Sequence, residues 1–295
     1  MTKVLRESST ESLLDKKYIG RFAPSPTGRL HFGSLVAAVA SYLDAKANSG
    51  NWLVRIEDVD GSRTVPGAAS DILKTLEGYG MHHDGEVVVQ SERYHIYRQI
   101  IGDLLSKDLA FGCACTRKDL ESVGGLAIYP GTCKNGLPPG VQPRSVRFKT
   151  PRENLQWQDL IKGGQHASSA SASDFIIKRA DGYYAYHLAV VVDDAEVGVT
   201  RIVRGEDLLE STPSQIFLQQ ALGYTTPEYA HFKLALNDEG TKLSKVNHAV
   251  PVEIDEAPEQ LLKAFEFLGL AGIEADTPEM MLAGAVKAWQ IKSQA

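Results

Sequence analysis

The feature that most constrains the fold is a proline- and glycine-rich run placed between a strand-like and a helix-like segment. The run reads Arg21-Phe-Ala-Pro-Ser-Pro-Thr-Gly-Arg-Leu-His-Phe-Gly-Ser34 and cannot form regular structure throughout. Lys17–Phe22 is strand-like, and Ser34–Asn48 carries small and apolar residues at helical spacing. A compact strand at Trp52–Ile56 and a second helix at Ala68–Tyr79 follow. Strand, glycine-rich turn, helix and strand in this order open a parallel α/β nucleotide-binding fold.

The same run has the chemistry of a phosphate site. Gly28 and Gly33 allow the backbone to approach a ligand, and a helix that begins at about Ser34 offers free N–H groups and a positive dipole end. His31 stands where it could donate to a phosphoryl oxygen. The alternative is a proline-rich turn with a structural histidine, because so short a motif specifies function only loosely.

A second motif, Lys242-Leu-Ser244-Lys245, lies in a segment rich in Asn, Asp and Gly. Two lysines that bracket a hydroxyl can clamp a triphosphate and stabilise charge on departing pyrophosphate. By itself the motif also fits a solvated surface. The two motifs together favour an ATP-dependent reaction.

These motifs and the segments between them resemble the glutamyl- and glutaminyl-tRNA synthetases of class I. The first run resembles their HIGH signature and the second their KMSKS signature. The intervening matches have the order and approximate spacing of the glutamate-specific subgroup: Arg55–Asp58, Gln90–Arg93, Tyr186–Asp194 and Arg204–Asp207. Two departures, Ser34 in place of a second histidine and Val246 in place of a final serine, resemble the smaller glutamyl-Q tRNA(Asp) synthetases.

The resemblance implies a set of site residues. His31 and Lys245 are implied to be catalytic, and the implied ATP-binding residues are Pro24, His31, Gly33, Ser34, Lys242, Ser244 and Lys245, with Mg²⁺ accompanying ATP. The implied L-glutamate-binding residues are Arg21, Phe22, Ala23, Pro24, Ser25, Glu57, Tyr186 and Arg204. Glu57 can pair with the ammonium group, whereas either Arg21 or Arg204 can take the side-chain carboxylate.

The three cysteines, Cys113, Cys115 and Cys133, fall in one short stretch. In a reduced compartment, clustered thiols fit zinc better than a disulfide, but a closed structural site needs four ligands. Tyr129 is the local candidate for the fourth, and the resembled subgroup uses a tyrosine there. We therefore expect one structural Zn²⁺; the alternative is a loop with free thiols.

Bulk properties limit the partners. No apolar run approaches the length of a membrane span, and the N-terminus lacks a signal-peptide core, which predicts a cytoplasmic protein without membrane contact. The net charge of −6 gives no support for an extensive basic RNA-binding face. We expect a monomer.

The predicted architecture is an α/β, Rossmann-like parallel-sheet domain with an inserted zinc-bearing subdomain and a short helical C-terminal part. The expected divisions are a flexible extension at 1–17, a first catalytic half at 18–93, the insertion at 94–180, a second half at 181–225 and a lysine-loop and helical region at 226–295. Further predicted elements are a surface loop at Gly163–Ser173, sheet from Tyr184 to Val203, and helices at Asp207–Gly223, Ala257–Gly269 and Thr277–Ile291.

The acceptor is predicted from the part after the lysine motif. Residues 247–295 are too few for the anticodon-binding domain of a full glutamyl-tRNA synthetase. This favours the glutamyl-Q tRNA(Asp) synthetases, which attach glutamate to queuosine at the first anticodon position of tRNA(Asp). Two alternatives remain: a truncated synthetase that charges a tRNA 3′ end, and a non-catalytic module that binds an amino acid or RNA.

Overall fold

A computed structural model describes residues 17–126, 128–234 and 250–290 of the chain. Its strands are β1 Ile19–Phe22, β2 Asn51–Ile56, β3 Val88–Val89, β4 Ala110–Cys113, β5 Ser145–Phe148, β6 Leu155–Asp159, β7 Gly163–Ala167, β8 Ile176–Lys178, β9 Arg201–Gly205 and β10 Glu228–Phe232. Its α-helices are α1 Phe32–Ala47, α2 Ala68–Gly78, α3 Tyr94–Ser106, α4 Arg117–Ser122, α5 Tyr186–Glu196, α6 Thr212–Leu222, α7 Ala257–Phe267 and α8 Pro278–Ala288.

Two sets of parallel strands form the centre of the fold. In one set β2 lies between β1 and β3, and in the other β10 lies between β9 and β6. The backbone N–H of Thr200 donates to the carbonyl of Ile19 over 2.9 Å, which joins β1 to the start of β9. The predicted α/β fold with a parallel sheet is confirmed.

The remaining strands come from the part of the chain predicted as an insertion. β5 pairs with β4 and β8 in a separate antiparallel sheet. β6 instead joins the central sheet beside β10, and β7 extends that sheet antiparallel to β6. The chain from 155 to 167 therefore shares a sheet with the strands that carry Arg204 and His231.

Two apolar cores hold the helices in place. One contains residues of α1, α2, α7 and α8 together with β1 and β2, and the other contains residues of α3, α5 and α6. The two predicted C-terminal helices are confirmed as α7 and α8, and both pack against α1. No helix among the described residues is long and apolar enough to cross a membrane.

Helix starts differ slightly from the prediction for reasons of capping. α1 begins at Phe32, two residues before the predicted start, because the His31 side chain accepts a hydrogen bond from the backbone N–H of Ser34. α6 begins at Thr212, where Pro213 occupies the first turn; the residues before it form a 3₁₀ helix, Glu206–Ser211.

Two predictions about local structure were wrong. Gly163–Ser173 is not a loop throughout, because its first five residues pair with β6 as strand β7. The stretch predicted as sheet from Tyr184 onward forms helix α5 and reaches β9 only at Arg201. The valines at 190–192 lower helix propensity, but each is almost fully buried, and this packing outweighs the local preference.

Candidate active site

A cleft of about 470 Å³ lies where β1, β2 and β9 end and where α1 and α5 begin. This edge of a parallel sheet is the usual place for a ligand in an open α/β fold. All eight residues expected to bind glutamate line it, as do four of those expected to bind ATP: Arg21, Phe22, Ala23, Pro24, Ser25, His31, Gly33, Ser34, Glu57, Tyr186 and Arg204.

The expected lysine-loop residues Lys242, Ser244 and Lys245 lie outside the described residues. The described chain on both sides of them borders the cleft. Leu234 lines it, and on the other side the backbone N–H of Val252 donates to the carbonyl of Leu30 over 2.9 Å.

Two arginines and two carboxylates form a buried network at one side of the cleft. Asp194 accepts from Arg55 Nη1 at 2.5 Å and from Arg21 Nε at 3.2 Å. Arg55 Nη2 donates to Glu57 Oε1 at 3.1 Å, and the Glu57 side chain is only 9% exposed. Burial raises the pKa of Glu57, although Arg55 and Arg21 oppose that rise. A cation entering the cleft would stabilise the ionised form of Glu57.

Arg204 lines the cleft and uses most of its guanidinium in hydrogen bonds within the fold. Its Nε donates to His231 Nε2 at 2.9 Å, and its Nη2 donates to Thr212 Oγ1 at 2.9 Å and to the carbonyl of Leu208 at 3.3 Å. Nη1 is buried and has no hydrogen-bond partner among the described residues. A buried arginine nitrogen without a partner is costly, so this position suits an anionic ligand.

His31 is held at the N-terminus of α1 by the next turn. His31 is buried. Its Nδ1 accepts from the backbone N–H of Ser34 at 3.3 Å, and its Nε2 lies 3.0 Å from Ser34 Oγ. Ser34 is the residue that departs from the HIGH signature. In this protein the hydroxyl of Ser34 contacts His31 and orients its imidazole ring.

The cysteines form a second cluster, at the end of β4 and in the loop that follows it. The three sulfurs lie within 4.8 Å of one another, and Tyr129 Oη lies 3.5 Å from Cys113 Sγ and 3.8 Å from Cys115 Sγ. A tetrahedral zinc site with Zn–S bonds of about 2.3 Å puts sulfurs about 3.8 Å apart. The observed 3.6 Å between Cys115 and Cys133 is close to that spacing. The donor set therefore fits a metal ion.

One thiol of this cluster, that of Cys113, has a lowered pKa. Burial alone would raise the pKa of Cys113, but hydrogen bonds with Tyr129 and Arg147 outweigh it and lower that pKa to about 7. Arg147 Nε lies 3.4 Å from the sulfur, and its guanidinium stacks on the Tyr129 ring at 4.0 Å. The thiolate is the form that binds metal.

Comparison with known proteins agrees with this geometry. The sequence matches the family described as "tRNA synthetases class I (E and Q), catalytic domain" over residues 18–287. The chain belongs to this family. The resemblance inferred from the separated motifs is confirmed.

Curated relatives match the chain along nearly its whole length. A protein of Dechloromonas aromatica (strain RCB) named glutamyl-Q tRNA(Asp) synthetase is 48% identical over 94% of this chain and 93% of its own length. A protein of Escherichia coli (strain K12) with the same name is 48% identical over 95% of this chain and 92% of its own length.

A longer member of the class is similar in structure. The glutamate tRNA ligase from Elizabethkingia meningosepticum CCUG26117, solved in complex with its amino acid, superposes with a TM-score of 0.78 at 29% identity. The match covers 94% of this chain and 65% of that one, so the present chain spans about two thirds of the larger synthetase.

This class I synthetase has a second, larger cavity of about 1650 Å³ beside the first. The two share a wall, because Tyr186 and Leu208 line the first cavity while their neighbours His187 and Leu209 line the second. Burial and the nearby Arg204 lower the pKa of His187 to about 4. The imidazole is therefore neutral at physiological pH.

The second cavity combines aromatic walls with unsatisfied polar atoms. Trp157, Phe175 and Phe217 line it. Trp157 Nε1 and His187 Nδ1 are buried and have no hydrogen-bond partner in the part of the chain that the structure describes. The lining also includes the arginines Arg117, Arg144, Arg147 and Arg179.

Sequence reasoning missed several residues of the cleft. Gly205 and Asp207 belong to the quoted Arg204–Asp207 segment, but only Arg204 received a role; both others line the cleft. A Cβ on Gly205 would come within 2.7 Å of Asp207 Oδ1 and 2.9 Å of Leu234 Cδ2. The absence of a side chain at Gly205 therefore lets the side chains of Asp207 and Leu234 lie close to the backbone of β9. Sequence reasoning also missed two residues outside the cleft: His231, which accepts from Arg204, and Asp159, which pairs with His231. Neither belongs to a short motif, and they become neighbours only through strand pairing.

Proposed function

We propose that this protein activates L-glutamate with ATP and transfers the glutamyl group to queuosine at the first anticodon position of tRNA(Asp). The observation that carries the proposal is the composition of the cleft. The buried carboxylate of Glu57 and Arg204, which has an unpaired nitrogen, lie beside the N-terminus of helix α1, which is suited to bind phosphate. Relatives that are 48% identical over 94% or more of this chain are named glutamyl-Q tRNA(Asp) synthetase, and this name supports queuosine of tRNA(Asp) as the acceptor.

Two charged groups of glutamate, the α-ammonium group and the side-chain carboxylate, have counterparts in the cleft. Glu57 pairs with the α-ammonium group, which compensates the burial of that carboxylate. We assign the side-chain carboxylate to Arg204, whose Nη1 has no hydrogen-bond partner among the described residues. Arg21, which also lines the cleft and pairs with Asp194 through Nε, is the alternative. Tyr186, the first residue of α5, lines the cleft with its hydroxyl protonated, since burial raises its pKa.

ATP occupies the loop between β1 and α1. The free N–H groups at the start of α1, His31 and the lysines Lys242 and Lys245 with Ser244 stabilise charge on the phosphates. An oxygen of the α-carboxylate attacks the α-phosphorus, and pyrophosphate leaves with the electrons of the broken P–O bond. Mg²⁺ accompanies ATP as its counter-ion. Glutamyl-adenylate remains in the cleft.

The acceptor nucleoside enters through the second cavity. Single-stranded bases bind proteins by stacking on aromatic side chains and by hydrogen bonds at their edges. The aromatic side chain of Trp157 matches the first need, and the exposed Arg117 and Arg144 suit phosphates. A hydroxyl oxygen of queuosine attacks the glutamyl carbonyl carbon, and AMP leaves. No covalent enzyme intermediate is required.

The cysteine cluster would hold one structural Zn²⁺ through Cys113, Cys115, Cys133 and Tyr129. Zinc supplies a crosslink within the loop after β4 when bound. We keep the proposed division of the chain at 18–93, 94–180, 181–225 and 226–295, with the zinc-bearing part in the second range. That range also supplies β6 and β7 to the central sheet.

The acceptor is tested by supplying ATP and labelled glutamate with tRNA(Asp) that contains or lacks queuosine. We expect label only on the queuosine-containing tRNA, bound to the anticodon fragment after nuclease digestion. Equal labelling of both tRNAs at the 3′ end would instead identify a truncated glutamyl-tRNA synthetase. Absence of both adenylate and transfer would identify a non-catalytic binding module.

The raised pKa of Glu57 predicts how activation depends on pH. The ionised form binds the ammonium group, so binding is complete well above the pKa and is lost as the pH falls through it. As the pH is lowered from neutrality, the KM for glutamate in ATP–pyrophosphate exchange should begin to rise at a higher pH than an ordinary glutamate side chain would require. Glu57→Gln should give a high KM that varies little with pH.

The matched control is the exposed Glu77 of α2, whose change to Gln should leave the pH profile unchanged. A wild-type KM for glutamate that stays constant as the pH is lowered from neutrality, with the KM for ATP also constant, would contradict the role of Glu57.

A further inference from the structure

Three buried side chains on three adjacent strands form a chain of hydrogen bonds that ends at the cleft. Arg204 of β9 pairs in register with His231 of β10, and Asp159 ends β6 on the other side of β10. Arg204 Nε lies 2.9 Å from His231 Nε2, and His231 Nδ1 lies 2.6 Å from Asp159 Oδ2. His231 and Asp159 are fully buried, and neither lines the cleft.

The arginine decides the tautomer of the histidine. A guanidinium can only donate, so His231 Nε2 must accept, and the ring proton of the neutral imidazole must be on Nδ1. That N–H donates to Asp159 Oδ2. Burial lowers the pKa of His231 more than the neighbouring Asp159 raises it, which keeps the ring neutral.

The carboxylate is itself fixed by the backbone. Asp159 Oδ1 accepts from the N–H groups of Ile161 at 3.0 Å, Lys162 at 2.9 Å and His231 at 3.2 Å. Oδ2 is thereby left for the imidazole. The Tyr229 ring stacks on the His231 ring with a centroid distance of 6.0 Å and an interplanar angle of 10°, which restricts its rotation.

We propose that His231 and Asp159 are positioning residues that fix the orientation of the Arg204 guanidinium for the substrate carboxylate. Three of the five N–H groups of Arg204 are occupied, by His231, Thr212 and Leu208. The two that remain are both on Nη1. This inference rests on the proposed function, and it adds that the insertion strand β6 helps to set the selectivity for glutamate.

An Asp159→Asn variant gives a sharp test. Three backbone donors require the amide oxygen at the Oδ1 position, so the NH₂ group must face His231 Nδ1. That nitrogen must then accept, the ring proton moves to Nε2, and Nε2–H meets the Nε–H of Arg204 as two opposed donors. We expect the KM for glutamate in ATP–pyrophosphate exchange to rise about tenfold while the KM for ATP stays within about twofold.

Variants of His231 separate positioning from simple packing. In His231→Gln the amide oxygen can replace Nε2 as the acceptor, so the KM for glutamate should stay within about threefold of wild type, whereas His231→Leu should raise it about tenfold. In the His231→Gln background, Asp159→Asn should add little, since no imidazole remains to change tautomer. Asp44→Asn is the control, because Asp44 is also buried and pairs with an arginine but does not line the cleft.

The tautomer can be observed without any activity measurement. In ¹⁵N-histidine-labelled wild-type protein, His231 should carry its proton on Nδ1, and in Asp159→Asn on Nε2. Wild-type protein with the proton on Nε2 would overturn the proposal, as would an Asp159→Asn variant that changes tautomer but keeps its KM for glutamate. A wild-type enzyme that activates no glutamate would refute the proposed function, while the tautomer measurement would still test the hydrogen-bond chain.

Discussion

Arg204→Lys should reduce kcat/KM for glutamate activation by roughly 100-fold or more, within the range expected when one side of a buried, hydrogen-bonded charge pair is lost. Lysine keeps the charge but has no rigid fork of donors. As Arg204 does in the structure, the residue at this position must donate to His231 and Thr212. A lysine cannot make both of these hydrogen bonds and also reach the substrate carboxylate. ATP–pyrophosphate exchange at varied glutamate and ATP measures the effect, which should fall on glutamate.

Arg201→Lys is the matched control on the same strand. Arg201 pairs with Asp44 and Glu228 and does not line the cleft. It should activate glutamate at a rate close to that of wild type. If Arg204→Lys keeps its kcat/KM for glutamate, or if both variants lose activity equally, the side-chain carboxylate is held elsewhere, and Arg21 becomes the candidate.

Cys133→Ser should remove bound zinc and unfold the loop that carries the cysteines. Structural zinc contributes about 10–16 kcal/mol of apparent binding free energy in small zinc-finger peptides, and that energy is also folding energy. Cys133 lies 3.6 Å from Cys115, in a small apolar cluster with Phe111 and Leu120 that is separate from the two large cores. Metal analysis of chelator-free protein should give close to one zinc per chain for wild type and close to none for the variant.

Hydrogen exchange locates the damage. Amides from 110 to 133 should lose protection in Cys133→Ser, whereas amides of α1, which lie in the separate large core, should keep it. Ser122→Ala, at the exposed end of α4 in the same segment, is the control and should retain zinc. Wild-type protein that contains no metal would identify the cysteines as free thiols, and a variant that loses zinc with unchanged exchange would contradict a structural role for the metal.

Local sequence signals were enough for the opening of the fold. The proline- and glycine-rich run after Phe22 predicted a break, and the helix after it followed from the spacing of apolar residues over Ser34–Asn48. The amphipathic C-terminal helices were predicted for the same reason. These elements depend on interactions between residues close in sequence, which a pattern can report.

Elements whose form depends on distant contacts were not predictable in the same way. Val190, Val191 and Val192 favour a strand locally, but burial on all sides holds them in helix α5. Likewise, the glycine-containing β7 became a strand only because β6 was available as its partner. Periodicity carries no information about such partners.

The residues of the site also differ in whether the sequence could predict them. Motifs placed eleven expected residues around one cleft, since Arg21, His31 and Arg204 lie in segments with a recognisable pattern. The pair His231 and Asp159 could not be found, because 72 positions separate them and only the register of β10 and β6 brings them together. The sequence also left the choice between Arg21 and Arg204 open, because a sequence does not record the hydrogen-bond partners of each nitrogen.

The strand order also bears on how the molecule reaches its native state. β10 pairs with β6 on one side and β9 on the other, so the centre of the sheet closes only after long stretches of chain have been brought back together. The residues that line the cleft extend along the chain from Arg21 to Leu234, so no short fragment contains them all. A partly folded chain therefore has no rudimentary version of the pocket, and catalytic competence arises only with the last long-range strand pairings.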